Sequence, residues 1–349
     1  KMIDKINVEY KLRGKKSMKK VLVLVLASLL VFSFAVSAQE EKPEMTLRLA
    51  DNQPEGYPTV VGAKKFASLV EERTNGRIKI EVYPGGVLGD ESSTIEQAQF
   101  GAIDFVRTSI TPMSNFEPAM NVLSLPYLYK SEEEMFQILQ SDIGDDVLEG
   151  LKDAGLIGLT WYDAGARSFY TAETKVEGPE DLEGLRIRVQ ESQLMMDMVK
   201  ELGASPTPIA WGEVYSALQT GVVDAGENNF PGWYYNSHHE VAPNFVVDAH
   251  NRIPELIIMS KMTWDKLSEE DQKIVKQAAI DSTKTQREAW DKRTEEAKKL
   301  AKEEGAEITY LDEETKAEFQ EKVKDLYPKY SEGHEELLNR ILNFEMEEE

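Results

Sequence analysis

The chain has 349 residues, 63 of them acidic and 40 basic, with a formal net charge of −23 and no cysteine. So acidic a surface repels nucleic acid and anionic membrane. The lack of cysteine excludes disulfides, thiol nucleophiles, zinc–thiolate centres and a lipid anchor on a cysteine.

Met18-Lys19-Lys20 is a short basic stretch, and Val21 to Val36 follows without a charge or a strong helix breaker. Val36-Ser37-Ala38 then precedes the polar Gln39-Glu40-Glu41. This is the pattern of a secretory signal peptide cleaved after Ala38. The apolar run is shorter than the roughly 20 residues of a membrane span. Met18 reads as the start and residues 1–38 stay outside the fold. They carry an excess of six positive charges, so the mature chain of about 311 residues has a formal charge of −29. That length supports two lobes with their own cores. An unanchored secreted protein points to a periplasm, where an outer membrane retains it.

Strand and helix signals alternate from there. Met45 to Ala50 reads as a strand, Thr59 to Thr74 as a helix stopped by Asn75-Gly76, and Ile78 to Val82 as a strand closed by Pro84-Gly85-Gly86. Ser92 to Phe100 is a helix and Ala102 to Val106 a strand. Asn121 to Tyr129 is an apolar loop, and Ser131 opens a helix with three glutamates in its first turn, where the helix dipole favours them. Leu156 to Tyr162 is a buried-type strand. Leu185, Ile187 and Val189 alternate with Arg186 and Arg188, so the two arginines share one strand face. Leu194, Met195, Met198, Val199 and Leu202 form a helical core stripe. Trp211 to Thr220 is a helix, Val222 to Ala225 a short strand, Leu256 to Ser260 a last apolar strand, and 264–304 one or two long helices. Strand–helix–strand units of this length predict an α/β fold with mostly parallel strands.

Catalytic chemistry finds no footing. The histidines, His238, His239, His250 and His334, lack the i, i+4 spacing of a zinc pair. No Gly-x-Ser-x-Gly elbow occurs. Gly85-Gly86-Val87-Leu88-Gly89 lacks the Lys-Ser/Thr of a phosphate loop and reads as a turn. No metal or cofactor is expected. What stands out is arginine in apolar company: Arg107, Arg167, Arg186 and Arg188. Two readings stay open, an ion pair with one of the many carboxylates or a five-donor fork for a ligand carboxylate.

Five segments carry a resemblance that favours the second reading. They are Tyr83-Pro-Gly-Gly-Val-Leu-Gly-Asp90, Gln97-Ala-Gln-Phe-Gly-Ala-Ile-Asp104, Leu123-Ser-Leu-Pro-Tyr127, Gly184-Leu-Arg-Ile-Arg-Val189, and Gly203-Ala-Ser-Pro-Thr-Pro208 running through Glu213-Val-Tyr-Ser-Ala-Leu-Gln-Thr-Gly221 to Asp224-Ala-Gly-Glu-Asn228. In this order the chain, from Met45 to about Tyr310, resembles the substrate-binding proteins of tripartite ATP-independent periplasmic (TRAP) transporters, the DctP type. The resemblance implies a type II periplasmic-binding-protein fold of two α/β lobes, with a hinge and a long helix spanning both. Lobe one is then residues 42–164 with 254–293, lobe two is 165–253, and 294–349 are C-terminal helices packed on the lobes.

The same resemblance assigns ligand contacts. Arg188 matches the arginine that binds the ligand carboxylate, Arg167 a second arginine in a Gly-x-Arg turn, and Asn228 the asparagine of the Asp-x-x-Glu-Asn motif. Trp211 matches an aromatic that covers a sugar ring, and Asn52 a contact after the first strand. Arg107, Ser109, Gln190 and Glu191 fall at positions that vary with substrate. Gln53 stands where close relatives carry histidine. The implied activity is a solute receptor that closes on a small carboxylate and delivers it to a small and a large permease subunit, as a monomer, without ATP or catalysis. Segments 166–170, 188–192 and 227–230 look most like the branch that takes glucuronate or galacturonate. A C4-dicarboxylate is the alternative ligand; a sensor adaptor or a periplasmic α/β enzyme are the alternative classes.

Overall fold

The computed structural model describes residues 43–346; the predicted leader and residues 347–349 lie outside them. In chain order, β1 (Met45–Ala50), α1 (Pro58–Arg73), β2 (Ile78–Tyr83), α2 (Glu91–Gln99) and β3 (Phe105–Ser109) come first. α3 (Glu132–Leu139), α4 (Asp142–Gly150) and β4 (Leu156–Tyr162) follow. Next are β5 (Ala166–Thr171), β6 (Arg186–Val189), α5 (Gln193–Glu201), β7 (Ser205–Pro208), β8 (Ala225–Asn228), α6 (Phe230–Tyr235), β9 (Asn244–Val247) and β10 (Asn251–Arg252). The chain continues through β11 (Glu255–Ser260), α7 (Glu269–Glu303), β12 (Glu307–Tyr310) and α8 (Glu313–Val323).

The strands form two sheets. One has the order β2-β1-β3-β11-β4, the other β12-β9-β5-β8-β6-β7 with β10 beside β5. β1, β2 and β3 run parallel, as the strand–helix–strand pattern predicts, while β11 lies antiparallel between β3 and β4. Apolar side chains of α1 (Val60, Ala63, Phe66, Val70) bury one helix face against this sheet. Pro58 opens α1 with a preset φ, and Asp90 caps α2 by accepting the Ser93 N–H at 2.7 Å.

The chain crosses between the sheets twice at one place. β4 leads into β5 through residues 163–165, and β10 leads into β11 through 253–254. Glu255 pairs with Tyr162 on one side of the crossing and Arg252 with Ala166 on the other. α7 then runs 35 residues without glycine or proline, about 52 Å at 1.5 Å per residue. Ser268 caps it, accepting the Asp271 N–H at 3.1 Å, and three acids fill its first turn. It packs on α1 and β4 of the first sheet and on α6 of the second. The approach to α1 is close: a Cβ on Gly62 would lie 2.7 Å from Gln286.

The structure differs from the sequence reading at several points, first in that the strands are not mostly parallel: among the described residues antiparallel pairings are as many as parallel ones. The strand expected at Ala102–Val106 is Phe105–Ser109, and that expected at Val222–Ala225 is Ala225–Asn228. The segment after 294, expected to be helical, also contributes β12, which pairs parallel with β9 as an edge strand.

Candidate functional site

β6 places Arg188 between the core residues Ile187 and Val189, and the residue is only 2% exposed. Nε and Nη2 donate to the carbonyl of Ile209 at 2.9 and 2.7 Å. Nη1 has no hydrogen-bond partner among the described residues, and Glu227 stands 4.0 Å from it. Burial lowers the Arg188 pKa in spite of Glu227, so the charge is held at a cost. Trp211 flanks it, with its ring centroid 5.5 Å from Cζ. His238 backs Trp211 at 4.9 Å; burial and the Arg188 charge push its pKa down to about 3, which keeps it neutral. Arg186, two residues earlier on the same face, is half exposed and paired with Asp224 at 2.5 Å.

Arg167 sits on β5 beside β8, where Phe169 pairs with Glu227 and Ser168 with Asn228. Its Nε and Nη2 donate to the two carboxylate oxygens of Glu227 at 2.5 and 2.8 Å, and Nη1 to Asn228 Oδ1 at 3.1 Å. Glu227 Oε2 is also 3.7 Å from His250 Nε2, and His250 Nδ1 is 2.8 Å from Asp248. Burial works to raise the Glu227 pKa, but Arg167 and His250 hold it down at about 2. Burial works to lower that of His250, but Asp248 and Glu227 lift it to about 9. At neutral pH two cations, Arg167 and His250, balance two anions, Glu227 and Asp248. Arg188 is left as the uncompensated charge of this wall.

The facing wall has the opposite character. Arg107 on β3 donates to Glu91 at 3.2 Å and Glu255 at 2.7 Å through Nη1, and to Asp51 and Asn52 through Nη2. One guanidinium thus holds three carboxyl groups. Burial, helped by Glu91 and Asp51 and opposed by Arg107, brings Glu255 up to about 7.

Of the residues expected at the site, Asn52, Arg167, Arg188, Gln190, Trp211 and Asn228 line one cavity between the sheets. Gln53, Glu91, Asn229 and Glu255 line it too. Three expected residues are used elsewhere. Arg107 is outside the lining, its Nη atoms committed to Asp51, Asn52, Glu91 and Glu255. Ser109 caps a short helical turn and donates its N–H to Glu91 at 2.9 Å. Glu191 bridges the lobes: its carboxylate accepts from Ser92 at 3.5 Å and its carbonyl from Asn115 at 2.9 Å. Tyr57 reaches Asn229 across the same gap at 3.4 Å. Glu91 and Glu255 are the lining residues that sequence reasoning missed. In so acidic a chain nothing local marks them, and the only hint is Glu91 directly after the Gly-Gly-Val-Leu-Gly-Asp turn.

Residues 49–333 match the family described as DctP, bacterial extracellular solute-binding protein, family 7. The chain is a member of the DctP family. It is 35% identical over 321 residues to a solute-binding protein of Chromohalobacter salexigens, covering 92% of this chain and 94% of that one. Among solved structures, a TRAP periplasmic solute-binding protein of Bradyrhizobium sp. in complex with D-galacturonate superposes with a TM-score of 0.84 at 39% identity, over 86% of this chain and 100% of that one. Another, from C. salexigens with bound D-glucuronate, gives 0.82 at 37%, over 85% and 99%. This DctP-family protein is therefore a TRAP-type solute receptor with the two-sheet α/β fold of those structures, and the resemblance read from its motifs is met along the chain. Among the described residues no helix is long and apolar enough to cross a membrane, and no group of three or more His, Cys, Asp or Glu is arranged to hold a metal ion.

Proposed function

We propose that this receptor binds a hexuronate, glucuronate or galacturonate, in the periplasm by hinge closure and passes it to a membrane permease. The observation that carries the ligand class is the asymmetry of the cavity walls. One wall offers a single uncompensated cation, Arg188, with an unused Nη1 donor. The other offers carboxyl groups whose one guanidinium, Arg107, is already shared among three of them. A ligand with one carboxylate and several hydroxyls satisfies both walls. Its carboxylate takes Arg188 with Arg167 and Asn228 beside it. Its hydroxyls donate to Glu91, Glu255 and the Gln190 and Gln53 side-chain carbonyls, the last two buried without partners among the described residues. Trp211 covers the ring. A C4-dicarboxylate meets the first wall but sets its second carboxylate against the acidic one.

Closure draws the oppositely charged walls together and removes water from the Arg188–carboxylate contact. The cross-lobe contacts of Glu191 and Tyr57 fit such a closed state. The leader-like segment at residues 18–38 and the extracellular character of the family support the periplasm. The family relationship supports a permease partner. The test is titration calorimetry of the mature protein against uronates, aldonates and dicarboxylates. The expected result is a uronate binding at least about a hundredfold tighter than succinate. A best ligand that binds Arg188→Ala as tightly as the parent protein would remove the clamp assignment.

A further inference from the structure

Ile209 and Trp211 belong to one loop, held to the second lobe at two points. The first is Arg188, whose Nε and Nη2 both donate to the Ile209 carbonyl. The second is His238, whose ring lies against that of Trp211 with centroids 4.9 Å apart and planes tilted by 53°. Trp211 is partly buried and opens a helical turn of only three residues, Trp211–Glu213, which does not by itself fix the ring. His238 is a polar ring in an apolar place, 1% exposed between Tyr170 and Trp211. The backbone turns it inward against its own preference. Ser237, just before it, has φ +59°, a left-handed conformation that residues with a Cβ disfavour and that persists where the surroundings impose it.

The Tyr170 hydroxyl and His238 Nδ1 are 2.9 Å apart. No other acceptor bonds that hydroxyl among the described residues, so its proton goes to Nδ1 and the neutral imidazole keeps its own proton on Nε2. The bond fixes the tautomer and the plane of the ring. The neighbouring strand makes room for it. Gly226 pairs with Tyr170 across β5 and β8, and a Cβ there would lie 2.7 Å from the Tyr170 hydroxyl. The close approach explains the glycine of Asp224-Ala-Gly-Glu-Asn228. An apolar side chain at 238 would fill the same space with no polar atoms to satisfy, so the imidazole has a use beyond packing. We propose that Tyr170 and His238 are positioning residues for Trp211: the hydroxyl locks the imidazole, and the imidazole sets the angle at which the indole stands beside Arg188 in the cleft. The pair then favours cyclic over open-chain acids, because only a sugar ring presents a face to the indole. This rests on the reading of the cleft as a uronate site in which Trp211 covers the ring.

The test uses Tyr170→Phe, which removes only the hydroxyl, and His238→Leu, which removes the imidazole. Two quantities are measured. One is the NMR order parameter of the Trp211 indole N–H in ligand-free protein, its signal identified among the five tryptophans by its loss in Trp211→Phe. The other is affinity by calorimetry for D-galacturonate and for L-galactonate, its open-chain reduction product with the same carboxylate. The order parameter is expected to fall in both variants. Galacturonate affinity should weaken about fivefold and galactonate affinity less than about twofold. General damage to the lobe would weaken both acids alike. An unchanged order parameter in either variant, an unchanged galacturonate affinity, or equal losses for the two acids overturns the proposal. Should His238→Leu not fold, Tyr170→Phe carries the test by the same criteria. If the parent protein takes galacturonate alone, its loss and the order parameter decide. If the parent binds neither acid, the ligand assignment fails, and the order parameter still decides whether the pair holds Trp211.

Discussion

Glu227 holds Arg167 through both carboxylate oxygens, at 2.5 and 2.8 Å, with both side chains almost wholly buried. A buried pair that loses one partner leaves an uncompensated charge, a change worth about 3–5 kcal/mol. Glu227→Gln should therefore melt well below the parent protein at neutral pH. The pH dependence follows from the depressed Glu227 pKa of about 2. A depressed carboxylate stabilises the fold above its unfolded pKa and stops doing so as pH falls through the folded value. The gap between parent and variant should be full above about pH 4.5 and close towards pH 2. Thermal melts at a series of acid pH values check this; a gap that does not change with pH counts against it.

Arg188 presents the inverse case, a buried cation whose nearest carboxylate is committed to another arginine. Replacing it with an apolar side chain of similar length removes that unfavourable burial along with the ligand contact. Arg188→Met is expected to raise the melting temperature of ligand-free protein by a few degrees, from about 1–2 kcal/mol of added stability. It should also weaken uronate binding at least about a hundredfold. Differential scanning calorimetry with and without ligand separates the two effects. A variant that binds poorly and also melts lower would show that Arg188 is held by structure and not for ligand.

Glu255 titrates near neutrality, with its pKa raised to about 7. It lines the cavity, so its ionisation adds negative charge opposite Arg188 as pH rises through 7. Affinity for a monocarboxylate should fall by roughly threefold to tenfold between pH 6 and 8. Glu255→Gln should bind with little dependence on pH over that range. Calorimetry at three pH values suffices, and an equally steep profile in the variant rules Glu255 out as the source.

Asp163 lies in the crossing between β4 and β5 and is fully buried. Its Oδ1 accepts the Gly165 N–H at 2.7 Å, while Oδ2 has no donor among the described residues. Gln286 of α7 clamps its backbone, bonding the N–H at 2.9 Å and the carbonyl at 2.8 Å. Burial first, and the neighbouring Glu132 carboxylate second, raise its pKa to about 8. A raised carboxyl stabilises the fold below its unfolded pKa and loses that contribution as pH climbs through the folded one. Its contribution to the melting temperature should therefore decline between about pH 4 and pH 8 and be spent above that. Asp163→Asn should lack that decline and share with the parent only the loss from His250, which runs from about pH 6.5 to about pH 9. Parallel declines in the two proteins would place the titrating group elsewhere.

The sequence shows the scaffold more readily than the site, for a physical reason. Alternating apolar residues in Met45–Ala50 and Ile78–Tyr83, and the run without glycine or proline from Glu269 to Glu303, announce themselves locally. β3 and β8 were shifted because their C-terminal halves carry Arg107, Thr108 and Ser109 in one and Glu227 and Asn228 in the other. Polar residues at a strand end look like a loop until partners distant in the chain are in place. Arg107 meets Glu255 across 148 positions, and no local pattern contains that pairing. Arg188 was legible through the family resemblance, since Arg186, with the same apolar flanks, is half exposed. Its missing partner was not, since that depends on Glu227 choosing Arg167.

The two crossings at the hinge are flanked by antiparallel pairing on both sides, with Glu255 on Tyr162 in one sheet and Arg252 on Ala166 in the other. Bending at these short unpaired crossings changes the separation of the two sheets, and one distance across the cleft follows it. Val87 and Val222, 68% and 53% exposed, stand on opposite lobes. With no native cysteine to compete for label, a dye pair at those two positions turns occupancy of the cleft into one distance.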